Sequence, residues 1–267
     1  EAMPIPVSAL LPMILFPLLG VATVREASAP YGDPVIFLFM GGFILALGLE
    51  RHNLQTRIAL NLIRLTGTSG NGIILGFMLS TALISMWISN TATAIMMLPI
   101  ASSVTSLLAK ETGQGEDPRF KKFATGLMLA IAYAASIGGM ATIIGTPPNV
   151  VMVGFMKRFY DLDVSFTRWM MVGIPLMILA LASCYFVITR ILFRNHLPSI
   201  QGSAELIQRK LAELGKLSRE EKMVLAVFSI TCFFWIFRQN LNGMIGKNLL
   251  DDTTIAMAGG VIMFLVP

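Results

Sequence analysis

The chain has 267 residues, 55% of them hydrophobic and only 13% charged, with a mean hydropathy of +0.74 and a net charge of +5. Soluble domains carry about 25% charged residues, so a water-soluble globule is excluded, and so is disorder, which needs low hydrophobicity and high charge. Cys184 and Cys232 both lie in apolar runs and read as small buried hydrophobes, not as a disulfide or zinc framework.

A helix that crosses a bilayer needs about 20 mostly apolar residues. Uncharged runs occupy 2–24, 34–49, 69–109, 123–156, 169–189, 223–237 and 253–267. The charged residues lie at residue 1, in the connections or at run edges. This pattern predicts an all-α polytopic membrane protein. The two-residue alternation of a membrane β-barrel is absent. The chain opens on Glu1 with no basic stretch before the first apolar run, so no signal peptide is read, and its end inside an apolar run at Pro267 predicts a fragment.

Two runs have the wrong length for one span. The run 69–109 has 41 residues, enough for two full spans or for a re-entrant hairpin of two half-helices. From Ser85 to Thr93 it reads Ser-Met-Trp-Ile-Ser-Asn-Thr-Ala-Thr, which is too polar for a plain helix centre. The run 123–156 contains Gly138-Gly139 and then Gly145-Thr146-Pro147-Pro148-Asn149. Two prolines remove two backbone donors and push Thr146 out of the helical region, so the helix must break there.

Positive charge orients the chain, because Lys and Arg collect on the cytoplasmic side. Connections 50–66, 110–122 and 194–222, with Arg190, hold 14 of the 20 Lys and Arg residues. Placing them inside leaves 21–33, 157–168 and 238–252 outside, and the run 69–109 enters and leaves on the same face. The +5 charge is thus an orientation signal and implies no nucleic-acid partner. Within 203–222, Leu206, Ile207, Leu211, Leu214 and Leu217 recur among charges at helical spacing. That is an amphipathic helix at the cytoplasmic surface.

No apolar run carries Asp, Glu, Lys, Arg or His in its middle, which disfavours a proton-coupled carrier and an intramembrane protease. His52 and His196 sit in basic connections. Gly67-Thr-Ser-Gly-Asn-Gly72 lacks the lysine of a phosphate loop, and Gly72 to Gly76 is a close-packing GxxxG. The polar places left inside the bilayer are the two helix breaks. A broken helix exposes orphan carbonyls, which suit a hard monovalent cation, and orphan N–H groups, which suit an anion. Secondary transporters build their sites in this way.

Ser89-Asn90-Thr91 in an apolar hairpin, followed by Ser136-Ile-Gly-Gly-Met-Ala-Thr-Ile-Ile-Gly145-Thr-Pro-Pro-Asn149, resembles the divalent-anion:sodium symporter family of dicarboxylate, citrate and sulfate carriers. Glu1-Ala-Met-Pro-Ile-Pro and Phe37-Leu-Phe-Met-Gly-Gly-Phe-Ile-Leu-Ala are also similar to that family. The resemblance runs over essentially the whole chain. It implies sodium-coupled symport of small dianions such as succinate, with Na+ as coupling ion, no organic cofactor and no enzymatic activity. It also implies an inverted-repeat fold, an elevator-like movement, a homodimer, and a multi-pass location in a bacterial inner membrane. Carried over by motif, Ser85, Ser89, Asn90 and Gly145 would bind sodium. Asn90, Thr91, Thr146 and Pro147 would face the substrate carboxylates.

The family's second Ser-Asn-Thr is absent here, so the chain reads as one repeat and the start of another. The expected division is transmembrane helices in 1–66, a re-entrant hairpin in 67–109, a broken helix in 123–156, a transmembrane helix in 169–193, the amphipathic connector in 194–222 and the opening of a second repeat in 223–267. The alternatives are a sodium-independent exchanger or a sulfate or citrate carrier on the same scaffold. A non-transporting membrane scaffold with 203–222 as its partner site is the alternative from another class.

Overall fold

The computed structural model describes residues 3–67, 69–112, 118–194 and 203–266. Glu1, Ala2, Thr68, residues 113–117, residues 195–202 with His196, Pro267, and the side chains of Leu107, Leu108, Lys110, Glu111, Thr112, Ser203, Ala204 and Leu206 lie outside the described residues.

The first apolar run does not form one span. It folds as two short helices, α1 (Ile5–Ser8) and α2 (Leu11–Leu18). Pro4, Pro6, Pro12 and Pro17 lack backbone donors, and Gly20 closes the segment at φ 69°. Helix α3 (Val24–Ser28) opens with a capping box between Thr23 and Glu26. Helix α4 (Pro34–Arg51) starts where Asp33 accepts from the Val35 N–H at 2.9 Å and Pro34 fills the first helical position.

The connection 50–66 holds a helix that apolar run length does not reveal, α5 (Leu54–Leu65). It is amphipathic, with Leu54, Ala59, Leu60 and Ile63 buried and Arg64 outward. Helix α6 (Gly70–Ser85) is capped by Ser69, and α7 (Asn90–Thr112) follows after four residues. Helix α8 (Pro118–Gly139) ends at the paired glycines, and α9 (Pro147–Tyr160) begins at the paired prolines. Helix α10 (Phe166–Phe186) continues as a π-helical segment, Val187–Leu192. The amphipathic α11 (Ser203–Glu213) is present where leucine spacing predicts it. A Ser218–Glu221 capping box starts α12 (Arg219–Ile245), and Asp251 caps α13 (Asp252–Met263).

Among the described residues, four helical stretches are long and apolar enough to cross a membrane: Val24–Arg51, Pro118–Gly139, Phe166–Leu192 and Arg219–Ile245. The protein is an all-α polytopic membrane fold. Its architecture has two packed groups. In one, the α6–α7 hairpin lies against α8, with α5 on the far side of α6, where the Ser80 hydroxyl donates to the Ala59 carbonyl at 3.1 Å. In the other, α4 and α13 run side by side. Thr253 Oγ1 donates to the Pro34 carbonyl, Gly41 meets Ala256 and Gly260, and Gly48 meets Met263. Both numbers rise together, so the pair is parallel. Thr231 of α12 meets Gly259, and the indole N–H of Trp235 donates to the Asp252 carbonyl, which makes α12 antiparallel to α13.

The ion pairs match the sides assigned from positive charge. On the outer side, Arg238 pairs with Asp163 at 3.6 Å and Asp252 at 3.4 Å. On the inner side, Arg57 pairs with Glu221 at 3.0 Å and donates to the Gly215 and Leu214 carbonyls. Each of these ion pairs joins connections of the same assigned side.

Candidate functional site

The site forms where the hairpin tip meets the break between α8 and α9. Helix α6 unwinds through Met86, Trp87 and Ile88, whose N–H groups still reach back to Ala82 and Ile84 carbonyls. Ser89 then opens α7. Its hydroxyl accepts from the Ala92 N–H at 3.3 Å and its carbonyl accepts from Thr93 N–H at 2.9 Å. Serine is a favoured residue at that position because it satisfies an orphan donor. The tip residue Trp87 is held by aromatic contact with Phe166 of α10 at 6.1 Å and Phe228 of α12 at 5.0 Å.

Ser85 is fully buried. Its hydroxyl oxygen lies 2.8 Å from Asn90 Oδ1 and 2.7 Å from the Ala135 carbonyl oxygen of α8. Both neighbours are acceptors, and a hydroxyl has one proton. The Ser85 hydroxyl, the Asn90 amide oxygen and the Ala135 carbonyl oxygen thus converge as one cluster of neutral oxygens. Neutral hydroxyl, amide and carbonyl oxygens of this kind suit a hard monovalent cation.

The break packs directly onto this cluster. A Cβ on Gly139 would stand 2.3 Å from Asn90 Oδ1. One on Gly145 would stand 2.5 Å from the Gly139 carbonyl oxygen and 3.0 Å from the Met86 carbonyl oxygen. The two glycines allow tip and break to approach in a way no side chain permits. Three donors hold the unwound backbone in place. Thr142 donates to the Met86 carbonyl at 2.5 Å and accepts from the Gly145 N–H at 3.0 Å. Asn149 Nδ2 donates to the Gly139 carbonyl at 2.9 Å and the Thr142 carbonyl at 2.8 Å. Trp169 Nε1 donates to the Met140 carbonyl at 3.0 Å. Buried backbone groups need such partners.

Of the residues read as sodium ligands, Ser85, Asn90 and Gly145 are brought together. Ser89 is adjacent and half-buried as the cap of α7. Of those read as substrate-facing, Thr91 and Pro147 are exposed on the first turns of α7 and α9, and Thr146 is half-exposed at the start of α9 with φ −153°. Thr142 and Asn149 were not singled out individually; only their place inside the Ser136–Asn149 motif marks them.

The electrostatics come from helix ends, because none of these residues titrates. The C-terminal ends of α6 and α8 meet the N-terminal ends of α7 and α9 here. The former bring carbonyl oxygens and partial negative charge; the latter bring partial positive charge. At α9 the two prolines have no N–H, and the Asn149 N–H bonds the Thr146 carbonyl at 3.1 Å. An anion at α9 would therefore meet the dipole and the Thr146 hydroxyl, with no free backbone donor in that first turn.

Comparison with known proteins covers the whole chain. The family model described as sodium:sulfate symporter transmembrane region matches residues 1–267. The chain is 42% identical over 269 residues to the sodium-dependent dicarboxylate transporter SdcS of Staphylococcus saprophyticus. It is 40% identical over 272 residues to the protein of the same name in Staphylococcus aureus strain USA300. All of the chain is covered in both comparisons, and the chain spans about half the length (52%) of each of these relatives.

Proposed function

The chain belongs to the sodium:sulfate symporter transmembrane family, and from that membership we propose that it is the part of a sodium-coupled dicarboxylate symporter that carries one coupling-ion site and half of the substrate site. The observation that supports this most directly is the convergence of Ser85 Oγ, Asn90 Oδ1 and the Ala135 carbonyl oxygen beside the glycine-lined break. Sodium is a hard ion that takes neutral oxygens, and it needs no acidic side chain here. We place it against Ser85, Ser89, Asn90 and the Gly145 backbone.

The carboxylates of the substrate sit on the open side of the cluster, against Asn90, Thr91, Thr146 and Pro147. Thr91 and Pro147 are exposed, which leaves their helix ends available to a ligand and to the other half of a longer protein. The names of the relatives, sodium-dependent dicarboxylate transporter, support a dicarboxylate as cargo. Succinate is the representative we choose.

Sodium coupling has a physical reason. Moving a dianion into a negative-inside cell works against about 2.3 kcal/mol per charge at 100 mV. Two sodium ions cancel that charge, and a third makes entry favourable. Helix α6 has 16 residues, roughly 24 Å at 1.5 Å per residue, which is short for a full span; this supports a re-entrant hairpin. On this reading the hairpin and the broken helix form one unit that moves, elevator-like, against α4 and α13 in a homodimer, in a bacterial inner membrane.

The test is uptake by the full-length protein in proteoliposomes. Labelled succinate, citrate and sulfate are offered with an inward sodium gradient or with choline. Succinate accumulation that requires sodium is the expected result. Equal succinate uptake in choline, or counterflow in sodium-free buffer, overturns symport in favour of exchange.

A further inference from the structure

The hairpin carries two more buried hydroxyls that the site as described does not use. Thr81 on α6 has no exposed surface and Thr93 on α7 is 1% exposed, yet neither hydroxyl oxygen has a hydrogen-bond partner. This is unusual for the chain. Thr189 and Thr231 are also buried in helices, and both return their hydroxyls to the carbonyl four residues back, at 2.7 and 2.8 Å. That local bond is the ordinary resting place for a helical threonine. Thr81 and Thr93 do without it.

Their positions in the sequence tie both to the cluster. Thr81 lies four residues before Ser85, and Thr93 lies three residues after Asn90, so each shares a helix face with the cluster residue of its own helix. Ser85 and Asn90 meet across the hairpin at 2.8 Å. Thr81 and Thr93 therefore each lie about one helical turn from the Ser85–Asn90 contact, on opposite arms of the hairpin. Four neutral oxygen-bearing side chains line this face of the hairpin, and the two deeper ones are unsatisfied. A buried hydroxyl without a partner is costly, and two that share helix faces with the cluster call for a ligand that supplies what the protein does not.

We propose that Thr81 and Thr93 belong to the coupling-ion site, where their hydroxyls bind a monovalent cation next to Ser85 and Asn90, either directly or through one shared water. This rests on the sodium-coupled reading above. It extends the site one turn into the hairpin and makes Thr93 and Thr81 determinants of sodium affinity and ion selectivity. The ligand has to be small and singly charged, because Thr81, Ser85, Asn90 and Thr93 offer hydroxyls and an amide with no carboxylate to balance a divalent ion.

The experiment uses the full-length transporter in proteoliposomes with Thr81→Val and Thr93→Val, which keep the shape and remove the hydroxyl. Thr93→Ser restores a hydroxyl. The half-saturating sodium concentration for succinate uptake is expected to rise about tenfold in each valine variant. The succinate KM at saturating sodium stays near wild type, and Thr93→Ser recovers most of the sodium affinity. The ratio of sodium-driven to lithium-driven uptake changes in the valine variants as well, a readout that loss of packing alone would not move. If either valine variant fails to fold, the corresponding alanine variant is read by the same criteria. Folded variants with an unchanged sodium dependence and an unchanged lithium ratio overturn the proposal. Asn90→Ala separates the two levels of inference. If Asn90→Ala abolishes sodium-dependent uptake while the threonine variants do nothing, only the extension fails. If Asn90→Ala is also silent, the ion site itself is misplaced.

Discussion

Replacing Gly139 with alanine is expected to lower sodium-driven succinate uptake by the full-length protein about a hundredfold, while the protein still inserts and purifies normally. The added Cβ would stand 2.3 Å from Asn90 Oδ1, well inside the 3.0 Å below which real Cβ contacts essentially never fall. The atom it strikes is the end of a side chain, so the fold can relax by turning Asn90 away. That relaxation is what disables the site. Asn90 Oδ1 leaves the Ser85 hydroxyl, and the three-oxygen cluster with Ala135 is lost. Gly243→Ala is the matched control, because a Cβ there meets nothing within 4 Å. Uptake and expression are measured together on both variants. A Gly139→Ala protein that transports at the control's rate contradicts the placement of Asn90.

Gly41→Ala is expected to behave in the opposite way, as a loss of stability first. Its Cβ would lie 2.5 Å from both the carbonyl carbon and the carbonyl oxygen of Ala256, and 2.8 Å from the Ala256 Cβ. Backbone cannot turn aside. The parallel pair of α4 and α13 has to separate, and the cost is about 3 kcal/mol. At Gly42 the nearest atoms belong to the Ile144 side chain at 3.2–3.3 Å, which can shift, so Gly42→Ala is expected to cost much less. The melting temperatures of the purified variants decide the point. Equal melting of Gly41→Ala and Gly42→Ala would show that the helices are not held as closely as described.

Much of this was legible in the sequence, for reasons that can be named. Uncharged run length locates the helices of the two packed groups apart from α5, because a bilayer tolerates few charges. Pro147-Pro148 and the polar Ser85–Thr93 stretch locate the breaks, because proline removes donors and helices avoid such polarity without cause. Arg and Lys location assigns the sides, and the Arg57–Glu221 and Arg238–Asp163 pairs each fall within one side. Other features carry no periodic signal. Helix α5 is short and charged, so a search for apolar runs reads it as a connection. The run 2–24 is apolar enough for a span, but its prolines divide it. The parallel pairing of α4 with α13 joins segments more than 200 residues apart. Thr142 and Asn149 act on backbone carbonyls up to 56 residues away, and such bonds leave no pattern in the chain. Thr81 looks like an ordinary helical threonine until its missing partner is seen.

The central claim is that Asn90 at the hairpin tip holds the coupling ion. The most direct measurement is the sodium dependence of succinate uptake by the full-length protein carrying Asn90→Ala, reconstituted at wild-type density. The account predicts that sodium-dependent uptake disappears at both limiting and saturating sodium. Unchanged uptake at both concentrations would contradict it.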